Sequence, residues 1–130
     1  MAGALTISTL NNDTGVLATQ NGMTGIAKAW GNFNGSSGTV NDSFNISSVT
    51  RNATGDYTVN LTTAMPNTNY SVVGSARTNN SFSVQIVVPW WSTSGNVVVA
   101  PTTSAFRISS AQSSGAGVDS IRIFFAVYSS

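Results

Sequence analysis

Short runs of alternating apolar and polar residues fill this 130-residue chain, and no segment sustains the i, i+3, i+4, i+7 spacing of an amphipathic helix. Tyr57, Val59 and Leu61 alternate with Thr58, Asn60 and Thr62, as Leu5 and Ile7 alternate with Thr6 and Ser8. A period of two places each set on one face of a pleated strand. Turn chemistry separates the runs. The stretch from Arg51 to Asp56 holds Asn52 and Gly55, residues that tolerate the positive φ of a hairpin turn. Met65-Pro66-Asn67-Thr68-Asn69 interrupts a ladder because Pro has no N–H to donate, and Gly115-Ala116-Gly117 interrupts another. Strands are predicted at residues 26–33, 42–51, 57–62, 70–76, 82–88, 97–100, 105–109 and 118–128. The pattern predicts an all-β fold, an antiparallel β-sandwich or jelly roll spanning residues 26–130. Residues 1–25, polar and Gly-rich, read as an N-terminal arm or anchor. The stretch from 11 to 25 reads as irregular, and residues 5–9 as a strand that docks on an open sheet edge of a neighbour.

Composition narrows the function. The chain has no Cys, no His and no Glu; Asp13, Asp42, Asp56 and Asp119 are its acids, against five Lys and Arg, for a net charge of +1. Those absences remove most side chains that transfer protons, attack carbonyls or ligate metals, so the chain reads as non-enzymatic, with no cofactor and no metal. Glycoside cleavage in particular needs two carboxyl groups flanking the bond. Here Asp13, Asp42 and Asp56 lie at turn signals, and Asp119 reads as a local ion pair with Arg122. Asn11-Asn12-Asp13-Thr14-Gly15 reads as a turn, since a Ca²⁺ loop requires more carboxylates. Scattered cations make no phosphate-binding patch, which argues against nucleic acid. No apolar run reaches the ~20 residues of a membrane helix, and residues 1–10 lack a signal-peptide pattern, so synthesis in the cytoplasm is expected. The Asn-x-Ser/Thr triplets at Asn45, Asn52, Asn60 and Asn69 read as products of composition. Only 7% of residues are charged, against about 25% in an ordinary domain. A surface so poor in charge lacks the repulsion that keeps monomers apart, which predicts self-association.

Two candidate binding features stand out. Trp90 and Trp91 are adjacent, so their side chains leave a strand on opposite sides. One serves as a platform for a sugar or protein partner, or both pack within or between subunits. Arg77, Asn79 and Asn80 mark a polar loop tip suited to recognition, and Lys28 reads as solvated or inter-subunit. The last run is apolar on both faces, with Ile121, Ile123, Phe125 and Val127 on one and Phe124, Ala126 and Tyr128 with Arg122 on the other. A strand of that kind is expected to be covered on both faces, by another subunit or by the monomer core. Ile121, Ile123, Phe124, Phe125 and Tyr128, with residues 82–88, are therefore the predicted subunit contacts.

Gly25-Ile26-Ala27-Lys28-Ala29-Trp30-Gly31-Asn32-Phe33-Asn34-Gly35 resembles the GIAKAWxNFNG segment of tail-fibre and related virion proteins of tailed bacteriophages. Ser43-Phe44-Asn45-Ile46-Ser47-Ser48-Val49-Thr50-Arg51-Asn52 and Thr54-Gly55-Asp56-Tyr57-Thr58-Val59-Asn60 follow in the order seen there. Ala64-Met65-Pro66-Asn67-Thr68-Asn69-Tyr70, Phe106-Arg107-Ile108 and Asp119-Ser120-Ile121-Arg122-Ile123 extend the likeness over residues 14–128. The resemblance implies a homotrimeric β-rich module on the exterior of a virion, a tail-fibre or knob-type structural protein involved in host attachment. It implies as partners its own copies, other tail or capsid proteins, and a host-surface glycan. Gly31 departs from the larger residue usual at that place, which is expected to weaken its strand. The module starts close to Met1 without a coiled-coil heptad, which favours a short knob, or alternatively a capsid decoration protein that cements the phage head, over a complete fibre.

Overall fold

The structure, a computed structural model, describes residues 9–12, 15–18, 25–78, 85–92 and 95–129. It is all-β with antiparallel sheets. The strands are β1 (Thr9–Asn12), β2 (Gly15–Ala18), β3 (Ala29–Phe33), β4 (Val40–Phe44), β5 (Ile46–Ala53) and β6 (Asp56–Leu61). Then come β7 (Ser71–Arg77), β8 (Gln85–Pro89), β9 (Trp91–Ser92), β10 (Val97–Val98), β11 (Ala105–Gln112) and β12 (Arg122–Tyr128). Sheet I has the order β4-β3-β12-β7 and sheet II the order β5-β6-β11-β8; β1-β2 and β9-β10 are separate two-stranded ribbons.

The inner faces of the two sheets share one sandwich-like core. Sheet I contributes Ala29, Phe33, Val72, Ile123, Phe125 and Val127, and sheet II contributes Tyr57, Val59, Leu61, Phe106 and Ile108. Rings lock the layers edge to face, Phe33 on Tyr57 at 5.0 Å and Phe106 on Phe125 at 5.6 Å between centroids. Such pairs add about 0.5–1.5 kcal/mol each beyond area burial. The alternation read at Tyr57, Val59 and Leu61 is the observed inward face of β6. The turn before it closes on Gly55, whose φ is +68°.

The predicted strand over residues 42–51 is two strands in different sheets. Asn45 adopts φ 58° between β4 and β5, a left-handed conformation that Asn tolerates better than most side chains. Its amide nitrogen donates to Lys28 O and Thr63 O, both at 3.1 Å, and its side-chain oxygen accepts from Thr63 N at 2.7 Å. One residue thereby turns the chain from sheet I into sheet II. Residues 11–25 are not uniformly irregular, since Thr9–Asn12 pairs with Gly15–Ala18 as a hairpin. Residues 5–8 of the predicted docking strand lie outside the described residues. Pairing of the last strand begins only at Arg122, because Ala111 and Gly117 form an isolated bridge and residues 118–121 cross from one sheet to the other.

Candidate functional site

The outer face of sheet I follows from the strand period and the register. On β3, Ala29, Gly31 and Phe33 are buried, so Trp30 and Asn32 point outward. Ala126 on β12 stands opposite Trp30 on one side and Val73 on the other, and Trp30 stands opposite Phe44. Phe44, Trp30, Ala126 and Val73 therefore form a row across all four strands of the sheet. The next row is Asp42, Asn32, Phe124 and Ser75, and Arg122 faces Arg77 beyond it. Exposure is 54% for Phe44, 38% for Trp30, 55% for Val73, 40% for Phe124 and 37% for Tyr128. Among the described residues, five of the eight exposed large apolar side chains share this face. A groove of about 680 Å³ continues it past Phe44, lined by Ile26, Lys28, Asn45, Met65 and Pro66. Monomeric proteins rarely leave large apolar side chains contiguous at the surface.

This geometry sorts the residues expected at a subunit contact. Ile123 and Phe125 fill the chain's own core, because β12 is the third strand of sheet I and turns that side towards sheet II. Ile121 is half-buried just before the strand, whereas Phe124 and Tyr128 are exposed on the outer face. Among the described residues, β12 is thus covered on one face only. Trp30, Phe44 and Val73 complete the apolar face, and sequence reasoning did not single them out. The alternation from Ala29 to Phe33 put Trp30 opposite to its neighbours, but which strand lay beside it required the register.

The two tryptophans have structural work. Trp90 sits between β8 and β9 at φ 62°, with its N–H donating to Arg107 O at 2.8 Å and its carbonyl accepting from Val99 N at 2.7 Å. Its indole packs against the core, and the buried indole N–H has no partner among the described residues. The bend lays β9 over the outer face of sheet II, where the Trp91 carbonyl accepts from the Ser109 hydroxyl. A groove of about 600 Å³ beside Trp90 is lined by Asn69, Tyr70, Pro101 and Tyr128 and has no charged side chain. Arg77 ends β7 on the outer face of sheet I, away from that groove, and Asn79 and Asn80 lie outside the described residues.

The acids are mostly committed to structure. Asp56 does not bond its local backbone as a turn residue would; it is fully buried beneath β9. Its carboxylate accepts from Arg107 Nε at 2.9 Å and Nη2 at 3.2 Å, from Ser92 Oγ at 2.5 Å and from Asn52 at 3.4 Å. Asp119 pairs not with Arg122 but with Arg51, at 2.6 Å. It also accepts from Gly55 N at 2.9 Å and from the Tyr57 hydroxyl at 2.8 Å. Burial pushes the Asp119 carboxyl up, but the hydrogen bonds from Arg51, Gly55 and Tyr57 outweigh it and hold the group below its usual range. Burial, then the bond to Asp119, raises the Tyr57 phenol. Burial pushes Tyr70 up to about 12, and its hydroxyl donates to Thr102 O at 2.8 Å. Asp42, on β4, accepts only from its neighbour Ser43 N at 2.9 Å among the described residues. No group of three acidic side chains stands together among the described residues in a way that would hold a metal ion.

The chain matches no family model, no curated protein and no solved structure. Its site has to be read from its own geometry.

Proposed function

We propose that this chain is a non-enzymatic structural protein on the exterior of a bacteriophage particle, a tail-fibre or knob-type module that assembles as a homotrimer and takes part in host attachment. The observation that carries the assembly is the outer face of sheet I, where Phe44, Trp30, Val73 and Phe124 stand exposed side by side. Leaving that much aromatic surface in water forfeits roughly 25 cal/mol for each Å² that a contact would cover. The sparse charge of the chain favours the same outcome. The likeness of residues 25–35 to the tail-fibre segment supplies the virion. Commitment of Asp56 and Asp119 to ion pairs and hydrogen bonds supports the non-enzymatic reading, because neither is left to act as a free acid or base. The experiment is antibody labelling of purified particles with counting of copies. Label at the tail with a few trimers per particle is expected. Hundreds of copies over the head would replace the tail reading with a capsid decoration protein, and unlabelled particles would overturn the virion reading.

A further inference from the structure

Among the described residues, the charged side chains other than Lys28 fall into two sets, those held in ion pairs and those on one sheet face. Arg51 pairs with Asp119 and Arg107 with Asp56. Asp42, Arg77 and Arg122 make no ion pair among the described residues, and all three stand on the outer face of sheet I. Arg77 and Arg122 are directly opposite each other on β7 and β12. Like charges at facing positions of neighbouring strands repel, so this arrangement costs the protomer stability. Asp42 would relieve it but lies on β4, at the other edge of the sheet. At ~4.8 Å per strand it is about 10 Å from β12 and about 14 Å from β7, beyond ion-pair reach within one chain. Asn32 and Phe124 stand between the two signs, and the row of Phe44, Trp30, Ala126 and Val73 flanks them on the side away from the arginines.

A face that is acidic at one edge and basic at the other, with an apolar row beside both, is complementary to itself. We propose that this face docks against the same face of a second copy, the β4 edge of one protomer against the β7 edge of the next. Asp42 then meets Arg77 and Arg122 of its neighbour, and Trp30, Phe44, Val73 and Phe124 are buried between them. The two oxygens of one carboxylate have lone pairs enough to accept from both guanidinium groups. Rotational symmetry repeats the pairing at every contact, whether two faces meet or three close a ring. A purely apolar partner would desolvate both arginines without compensation, and a polyanion would meet Asp42. A second copy answers all three charges. The inference rests on the assembly reading above in taking another copy as the occupant, and it makes no use of the phage assignment.

The experiment is a charge swap in the full chain, followed by sedimentation equilibrium, with thermal unfolding to confirm that each variant is folded. Asp42→Arg alone, and Arg77→Asp with Arg122→Asp, each place like charges across the contact. Each is expected to weaken self-association by at least about tenfold, since like-charge juxtaposition at an interface is strongly unfavourable. The triple variant Asp42→Arg/Arg77→Asp/Arg122→Asp reverses every pair and is expected to recover association to near the starting level. A triple variant as weak as the partial swaps would overturn the proposed register. So would partial swaps that leave association unchanged, or a starting protein that stays monomeric at high micromolar concentration. Particle labelling reads the virion assignment independently, so a labelled tail with an indifferent swap would sink this interface alone.

Discussion

Gly31 lies directly across from Phe125, and the aromatic ring lies over the glycine. A methyl group at position 31 would stand 2.7 Å from Cζ of Phe125 and 2.8 Å from Cε1. The glycine that was expected only to weaken β3 is instead what lets Phe125 lie flat in the core, in contact with Phe33 and Phe106. Gly31→Ala is expected to destabilise the protein by about 1–3 kcal/mol, the usual cost of overpacking a tight core. Adding Phe125→Leu should cost less in the Gly31→Ala background than in the original chain, a coupling that urea unfolding of all four proteins measures.

The buried carboxylate of Asp56 depends on Arg107. Removing one member of a buried ion pair is expected to cost about 3–5 kcal/mol, because the other charge is left in a poorly solvating site. Arg107→Met should therefore be among the most damaging single changes on sheet II. Pairing it with Asp56→Leu should recover part of the loss, although Ser92 and Asn52 then lose their acceptor. Chemical denaturation compares the single and double variants.

The corner between the sheets tests a conformation and its hydrogen bonds separately. Asn45→Gly keeps the positive φ and loses the three side-chain contacts to Lys28 and Thr63. Asn45→Ala loses the same contacts and must also hold a side chain at positive φ. The alanine variant is expected to be less stable than the glycine variant by about 1 kcal/mol, the cost of holding an ordinary side chain in the left-handed region. Equal midpoints in urea would count against the strain argument.

Acid should weaken the fold in part through Asp119. Its folded pKa is depressed, so its contribution to stability is complete above the unfolded carboxyl value of ~3.9 and is lost as pH falls through the lower folded value. Asp119→Asn should lower the melting temperature at pH 7 and flatten the fall in melting temperature below pH 4. A variant with the same acid limb as the original protein would refute this assignment. The tyrosines work in the opposite sense. Tyr57 and Tyr70 have raised folded pKa values, so the stability they add is present below ~10 and fades as pH climbs through those values.

Much of the sheet architecture was legible because alternation is local. Tyr57, Val59 and Leu61 declared their face within one strand, and the turn at Gly55 came with its own residue type. The break at Asn45 was not legible, since Phe44-Asn45-Ile46 continues a plausible strand and only contacts with Lys28 and Thr63, from elsewhere in the chain, select the corner. The ion pairs were hidden for the same reason. Asp119 has Arg122 nearby in sequence but bonds Arg51, 68 residues away. Of the outer face, Phe124 and Tyr128 were found from the two-sided last run, whereas Trp30, Phe44 and Val73 join them only through strand register. Asp42 looked like a turn residue until that register set it on the same surface as Arg77 and Arg122.

The position of β12 between β3 and β7 has a consequence for how the protein comes into being. Both neighbours leave the ribosome long before the strand that joins them, so the nascent chain carries two separated halves of sheet I. During that interval Ala29, Phe33 and Val72 lack the covering supplied by Ile123, Phe125 and Val127. Pairings between segments so far apart close slowly, and exposed strand edges invite the wrong neighbour while they wait. In a crowded factory of identical chains, the last strand to arrive decides whether each copy completes itself or borrows from another.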